Sequence, residues 1–166
     1  MTEAFIGLGA NLGDRAATLA SALTEMAKAP ELTVAAVSHA YESEPWGPPG
    51  QPPYLNAVAR LEFTGTPEEL LAHMQRVETL LGRVRAQRFG PRVVDLDLLL
   101  FGGEERGTPE LTLPHPRMLE RDFVMTPLLA IAPDVRLPSG EAPDAAEAVF
   151  GAVIADRGSL DGFGEA

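Results

Sequence analysis

The chain contains no cysteine, and only Lys28 is a lysine among its 13 basic residues. The first absence excludes disulfides and thiolate metal sites. The second excludes a Walker phosphate loop, because no G-K-[ST] core occurs. If polyphosphate is bound, arginine or metal must do the work of that loop. No apolar run approaches the roughly 18 residues a membrane helix needs, and the segment after Met1 lacks a basic region followed by an apolar one. No targeting or membrane segment is therefore expected, and a cytoplasmic setting is the default. A net charge of −11 argues against nucleic-acid binding, which needs a basic surface.

What is present is ordinary in bulk and uneven in detail. At 166 residues, 45% apolar and 22% charged, the sequence reads as one globular domain over 1–166 with a proper core. The positive charge is concentrated. Apart from Lys28 every cation is an arginine, and Arg83, Arg85, Arg88 and Arg92 fall in one acid-free run. Such a run on an acidic protein suits a small polyanion, although a solvated charged loop has the same composition. Guanidinium groups bind phosphate bidentately, and Gly90-Pro91 makes the segment a loop able to close over a ligand.

That loop leads into Val93-Val94-Asp95-Leu96-Asp97-Leu98-Leu99-Leu100-Phe101, an apolar strand interrupted by two acids. Residues i and i+2 of a strand share a face, which sets Asp95 and Asp97 side by side, about 7 Å apart at the backbone. Unpaired buried carboxylates are costly, so something cationic must meet them. Magnesium is one candidate. Two carboxylates suit a pair of ions about 4 Å apart on a polyphosphate. An ion pair with Arg92 or Arg83 is the other.

The elements follow from periodicity and punctuation. Phe5-Ile6-Gly7-Leu8-Gly9 reads as a strand ending in a glycine-rich turn, and the glycines of Gly7-Leu8-Gly9-Ala10-Asn11-Leu12-Gly13 fit a tight turn with close packing better than a dinucleotide loop. Asp14 can cap a helix to about Lys28. Strands are expected over about 32–43 and 54–63. Thr66 and Glu69 form a capping box with Pro67 at the first helical position; Leu70, Met74, Val77 and Leu81 repeat at helical spacing until Gly82. Gln75 and Glu78 fall on a neighbouring face. A last helix is expected over about 123–131 despite Pro127, and Asp144 could cap a short one containing Val149, Phe150 and Val153. Strand, helix, strand, strand, helix, strand is the ferredoxin-like βαββαβ order. It predicts an α+β fold whose helices cover one face of an antiparallel sheet, with C-terminal additions. The tail after Pro138 is uninformative.

The loop over 44–56 holds Trp46, Tyr54 and Asn56 among five prolines. Aromatics with an amide can sandwich a planar heterocycle, or simply pack in the core. His115, between Pro114 and Pro116, could contact phosphate or be a satisfied turn residue.

Together these residues resemble the 6-hydroxymethyl-7,8-dihydropterin pyrophosphokinase family of folate biosynthesis, over about residues 4–138. Arg88-Phe89-Gly90-Pro91-Arg92-Val93-Val94-Asp95-Leu96-Asp97-Leu98-Leu99 looks like the family signature, R-[WF]-G-P-R-x-x-D-[LIV]-D-[LIVM]-[LIVM]. Gly9-Ala10-Asn11-Leu12-Gly13, Ser43-Glu44-Pro45-Trp46-Gly47, Tyr54-Leu55-Asn56, Leu113-Pro114-His115-Pro116 and Arg121-Asp122-Phe123 add to the match. The resemblance implies transfer of pyrophosphate from ATP to the pterin hydroxymethyl group, releasing AMP; a monomer that binds no nucleic acid or membrane is expected. It implies two Mg2+ ions on Asp95 and Asp97, and phosphate contacts from Arg83 and Arg92 assisted by Arg85 and Arg88. Catalytic roles fall to Arg83, Arg92 and Asp97. Gln75, Glu78, Leu98, Thr112, His115 and Arg121 would line the nucleotide site. Tyr54 and Phe123 would stack on the pterin, with Ser43, Trp46, Asn56 and Asp95 around it. Phe89 stands where many relatives have tryptophan, Ser43 where threonine is common, and Glu110 where some carry a cation. Two other readings stay open: a magnesium-dependent phosphotransferase for another heterocyclic alcohol, and a noncatalytic ligand-binding module.

Overall fold

A computed structural model describes residues 1–45, 50–84 and 94–163. Its elements are β1 (Thr2–Ala10), α1 (Arg15–Met26), β2 (Leu32–Val37), β3 (Tyr41–Ser43), β4 (Tyr54–Phe63), α2 (Pro67–Val84), β5 (Asp95–Phe101), β6 (Arg106–Gly107), β7 (Thr112–Leu113), α3 (Asp122–Ile131) and β8 (Val153–Asp156). The main sheet runs β5-β1-β4-β3-β8, with β2 also on β4, and its pairings are antiparallel. This is the ferredoxin-like arrangement, in which the first strand lies between the last strand and the third of the motif.

Local chemistry fixes the helix starts. Asp14 accepts the Ala17 N–H at 3.1 Å and opens α1. The capping box at α2 closes both ways, Thr66 N–H to Glu69 Oε1 at 2.9 Å and Glu69 N–H to Thr66 Oγ1 at 3.1 Å. Gly82 does not end α2, which continues to Val84. The glycine keeps an ordinary negative φ and costs the helix about 1 kcal/mol rather than stopping it.

Three other expectations change. The strand over 32–43 is two strands, because the Ser38 hydroxyl accepts the Val58 N–H at 2.9 Å and bonds the His39 carbonyl at 2.7 Å, replacing part of the ladder. The helices cover both faces, not one. Leu19, Leu23, Leu70 and Met74 from α1 and α2 pack on one side, whereas Val124, Met125 and Leu128 of α3 pack with Phe5, Val58, Leu99 and Leu100 on the other. β5 feeds both layers by ordinary alternation, and a register shift at Phe5/Ile6, opposite Leu100 and Leu98, turns the successive Leu99 and Leu100 into the same α3-side layer. Finally, Asp144 does cap a turn, but only Ala145–Glu147 in 3-10 form. Val149 is 80% exposed and Val153 begins strand β8. The tail thus adds an edge strand and sends Leu160 into the main core.

Candidate active site

Strand register builds the site. Across β1 and β5, Gly9 lies opposite Asp95 and Gly7 opposite Asp97; across β1 and β4, Gly9 lies opposite Asn56 and Gly7 opposite Val58. Paired residues of neighbouring strands share a face. The two acids therefore look across the two β1 positions that have no side chain, and the bare backbone becomes the floor of a trough. A Cβ at Gly9 would come within 3.2 Å of Asn56 Oδ1, tight enough that the amide would have to give way by a few tenths of an ångström. These glycines lie within the strand rather than in a turn, because β1 runs on to Ala10.

The trough is a cavity of about 250 Å³. Asp95 and Asp97 form one wall and Tyr54 and Asn56 the opposite one; His115, Arg121 and Phe123 complete it from the α3 side. Asn56 is buried and its amide nitrogen donates to Ser43 Oγ at 2.8 Å and the Tyr41 carbonyl at 3.3 Å. With both donors used, its carbonyl oxygen is left facing the glycine floor. Ser43 is fully buried behind Asn56 and does not line the cavity.

Asp97 is 43% exposed and has two nitrogen neighbours at 3.9 Å, the His115 imidazole Nε2 and the cationic Arg121 Nη1. Both distances are too long for hydrogen bonds, so neither contact saturates the Asp97 carboxylate. Burial pushes the His115 pKa below the usual histidine range; the Asp97 charge opposes that, and Arg121 and Arg117 reinforce it. Burial also raises the Tyr54 phenol, with the Asp95 charge adding to it. The Arg121 guanidinium lies 5.5 Å from the centre of the Phe123 ring.

A second cavity, about 260 Å³, adjoins the first. Leu98, Thr112, Glu110 and Leu111 line it, and it shares Asp97 and His115 with the trough. The β6–β7 hairpin supplies Thr112, and the Leu113–Pro114 peptide is cis, after which His115 N–H bonds the Leu99 carbonyl at 3.0 Å.

The structure thus brings together Asp95, Asp97, Tyr54, Asn56, His115, Arg121 and Phe123, and sets Leu98 and Thr112 next door. Glu78 turns instead to β5, its carboxylate accepting the Leu96 N–H at 2.9 Å beside the acids. Gln75 is exposed on α2 and lines neither cavity. Trp46, Arg85, Arg88 and Arg92 lie outside the described residues, as does the side chain of Arg83. The sequence reading missed the glycine floor. Its signal is a G-x-G and a D-x-D, both of strand period, brought side by side by pairing.

A sequence model of the 7,8-dihydro-6-hydroxymethylpterin-pyrophosphokinase (HPPK) family matches residues 5–133. The chain belongs to this family. Among HPPK relatives, the 2-amino-4-hydroxy-6-hydroxymethyldihydropteridine pyrophosphokinase of Methylorubrum extorquens is 44% identical over 135 residues, 81% of this chain and 85% of that one. The Pseudomonas aeruginosa protein of the same name is 43% identical over 136 residues, covering 82% and 84%. Among solved structures, an HPPK-DHPS in complex with substrates superposes with a TM-score of 0.65 at 10% identity, covering 86% of this chain and 42% of that one. The wild-type Plasmodium falciparum HPPK-DHPS gives 0.63 at 12% identity, covering 82% and 42%. At such identity these structures speak for the HPPK fold alone, and the chain spans less than half their length. Among the described residues, no helix is long and apolar enough to cross a membrane.

Proposed function

We propose that this chain transfers the pyrophosphoryl group of ATP to the hydroxymethyl oxygen of 6-hydroxymethyl-7,8-dihydropterin, releasing AMP, as a cytoplasmic monomer of the folate pathway. Family membership supports the reaction. The observation that supports placing it at this site is that Asp97 and His115 line both cavities, so one carboxylate of the Asp95/Asp97 pair stands on the wall common to two binding spaces.

The donor set fits magnesium. Asp95 and Asp97 offer two carboxylates on one strand face, and the described residues contain no cluster of three or more acids and histidines that would enclose an ion. Magnesium commonly takes one or two carboxylates and completes its shell with water and phosphate oxygens. Two Mg2+ ions held there would neutralise the triphosphate and orient its β-phosphorus.

The chain's own residues do the rest. Tyr54 and Phe123 flank the trough and take the flat faces of the pterin, while the Asn56 carbonyl oxygen accepts from its edge. Arg121 adds positive charge on the trough wall, and His115, held neutral by burial, can donate a hydrogen bond without adding charge. The second cavity takes the nucleoside against Leu98 and Thr112. Arg83, Arg85, Arg88 and Arg92 bring positive charge to the phosphates. Catalysis is mostly positioning plus electrostatic stabilisation.

The test is AMP formation from ATP with and without hydroxymethyl-dihydropterin, before and after chelation of Mg2+. Acceptor-dependent AMP that disappears with the chelator is expected. AMP release indifferent to the pterin would overturn the acceptor assignment.

A further inference from the structure

The family match stops at residue 133, yet the wall of the trough is buttressed from beyond it. Gly151 adopts φ +64°, and a Cβ placed on it would sit 2.4 Å from Phe123 Cδ1 and 2.7 Å from Cε1. No real Cβ approaches a ring so closely, so glycine alone lets the backbone press on this side chain. The contact is clamped. Asp122 N–H bonds the Phe150 carbonyl at 2.9 Å, Phe150 N–H bonds the Glu120 carbonyl at 2.9 Å, and the Asp122 carboxylate accepts the Val153 N–H at 2.8 Å. Three bonds thus fix the tail, on either side of Gly151, to Asp122 at the start of α3 and to Glu120 just before it. The Phe150 ring, 45% exposed, stands 6.4 Å from the Phe123 ring as a second support.

We propose that Gly151 is a positioning residue for the acceptor. Held by the clasp on Asp122, it fixes the Phe123 ring and so sets the width of the trough that admits a planar heterocycle. The tail then tunes which acceptor fits without touching it. The inference rests on the proposed function, since it takes Phe123 as an acceptor-facing wall.

The test is steady-state kinetics of the full chain, with acceptor and ATP varied separately. The wild type comes first: absence of pterin-dependent AMP removes the proposed function and this inference with it. Given wild-type turnover, Gly151→Ala should raise the acceptor KM about tenfold, with kcat and the ATP KM within about twofold. In a Phe123→Ala background the same change should have no further effect on the acceptor KM. A role confined to backbone strain would lower Tm equally in both backgrounds and leave KM alone. Phe150→Ala, a change at a half-exposed ring, should raise the acceptor KM about threefold and keeps the idea testable should Gly151→Ala not fold. A folded Gly151→Ala with wild-type KM, an undiminished KM effect without the Phe123 ring, or an unchanged KM in Phe150→Ala as the only folded variant would overturn the inference while leaving the proposed function standing.

Discussion

Arg15, at the start of α1, donates to the buried carboxylate of Glu42 at 3.1 Å, and the same guanidinium nitrogen reaches the Pro53 carbonyl at 2.9 Å. Arg157, beyond β8, meets Glu42 from the other side. The carboxylate of the short strand β3 thus ties the first helix to the tail, and Arg15 carries the link on to Pro53, one residue before Tyr54.

Burial alone would raise the Glu42 pKa, but hydrogen bonds from Arg15 and Arg157, with their charges, more than reverse it and hold the carboxyl below its ordinary value. The unfolded chain therefore binds this proton more readily than the folded one. The stability it contributes is present above the unfolded carboxyl range, about pH 4.3, and is lost as pH falls through the lower folded value. Glu42→Gln should cost about 2 kcal/mol near neutrality, an intermediate figure because Arg157 remains in water. Thermal melts of both proteins from neutral to acid pH check this. Parallel losses would contradict it.

Asp97→Ala should lower turnover by about a thousandfold or more if the acid seats metal. The residue is half exposed, so Tm should move by no more than about 2 °C. Rate and melting curve measured on one preparation decide it. Turnover near wild type would defeat the metal assignment.

Gly9→Ala places a methyl group 3.2 Å from Asn56 Oδ1, on the floor of the trough. The expected outcome is an acceptor KM raised about tenfold, with a stability loss of about 1 kcal/mol. The equivalent change at Gly7 meets only Leu99, at 3.7 Å, and should leave stability unaltered. Denaturant unfolding of the two variants side by side tests the difference.

His115 should titrate below the ordinary histidine range, because burial outweighs the attraction of Asp97. Its imidazole is then neutral at pH 7, and an NMR titration of labelled histidine reads the midpoint directly. Asp97→Asn removes the opposing charge and should lower the midpoint further. A wild-type midpoint above the ordinary histidine range would show that the ion pair, not burial, governs the ring.

How legible all this was in the sequence depends on how local each cause is. The Thr66/Glu69 box, the strand beginning at Tyr54 and the Asp95–Phe101 strand are set by neighbours a few residues away and read directly. Strand β8 is not, since Val153–Asp156 becomes a strand only by pairing with Tyr41–Ser43. The second helical layer was hidden because Leu98-Leu99-Leu100-Phe101 is apolar throughout and shows no single buried face. Within the site, Asp95 and Asp97 stood out as acids in an apolar run. His115 and Arg121 carried no such signal, and their place came from the family resemblance. The work of Gly7 and Gly9 needed the register with β4 and β5 before it could be seen.

The floor of backbone has a mechanical consequence. Strand β1 is bonded to a strand on each side along most of its length, so the seat that Asp97 and the glycines form cannot hinge or slide as a substrate arrives. Adaptation to a new acceptor must come from the side chains that stand around that seat, Tyr54 and Asn56 on one wall and His115, Arg121 and Phe123 on the α3 side. On the proposed function, the seat that aligns the reacting atoms is the part the sheet holds on both sides, and selectivity can drift at the rim while the alignment stays fixed.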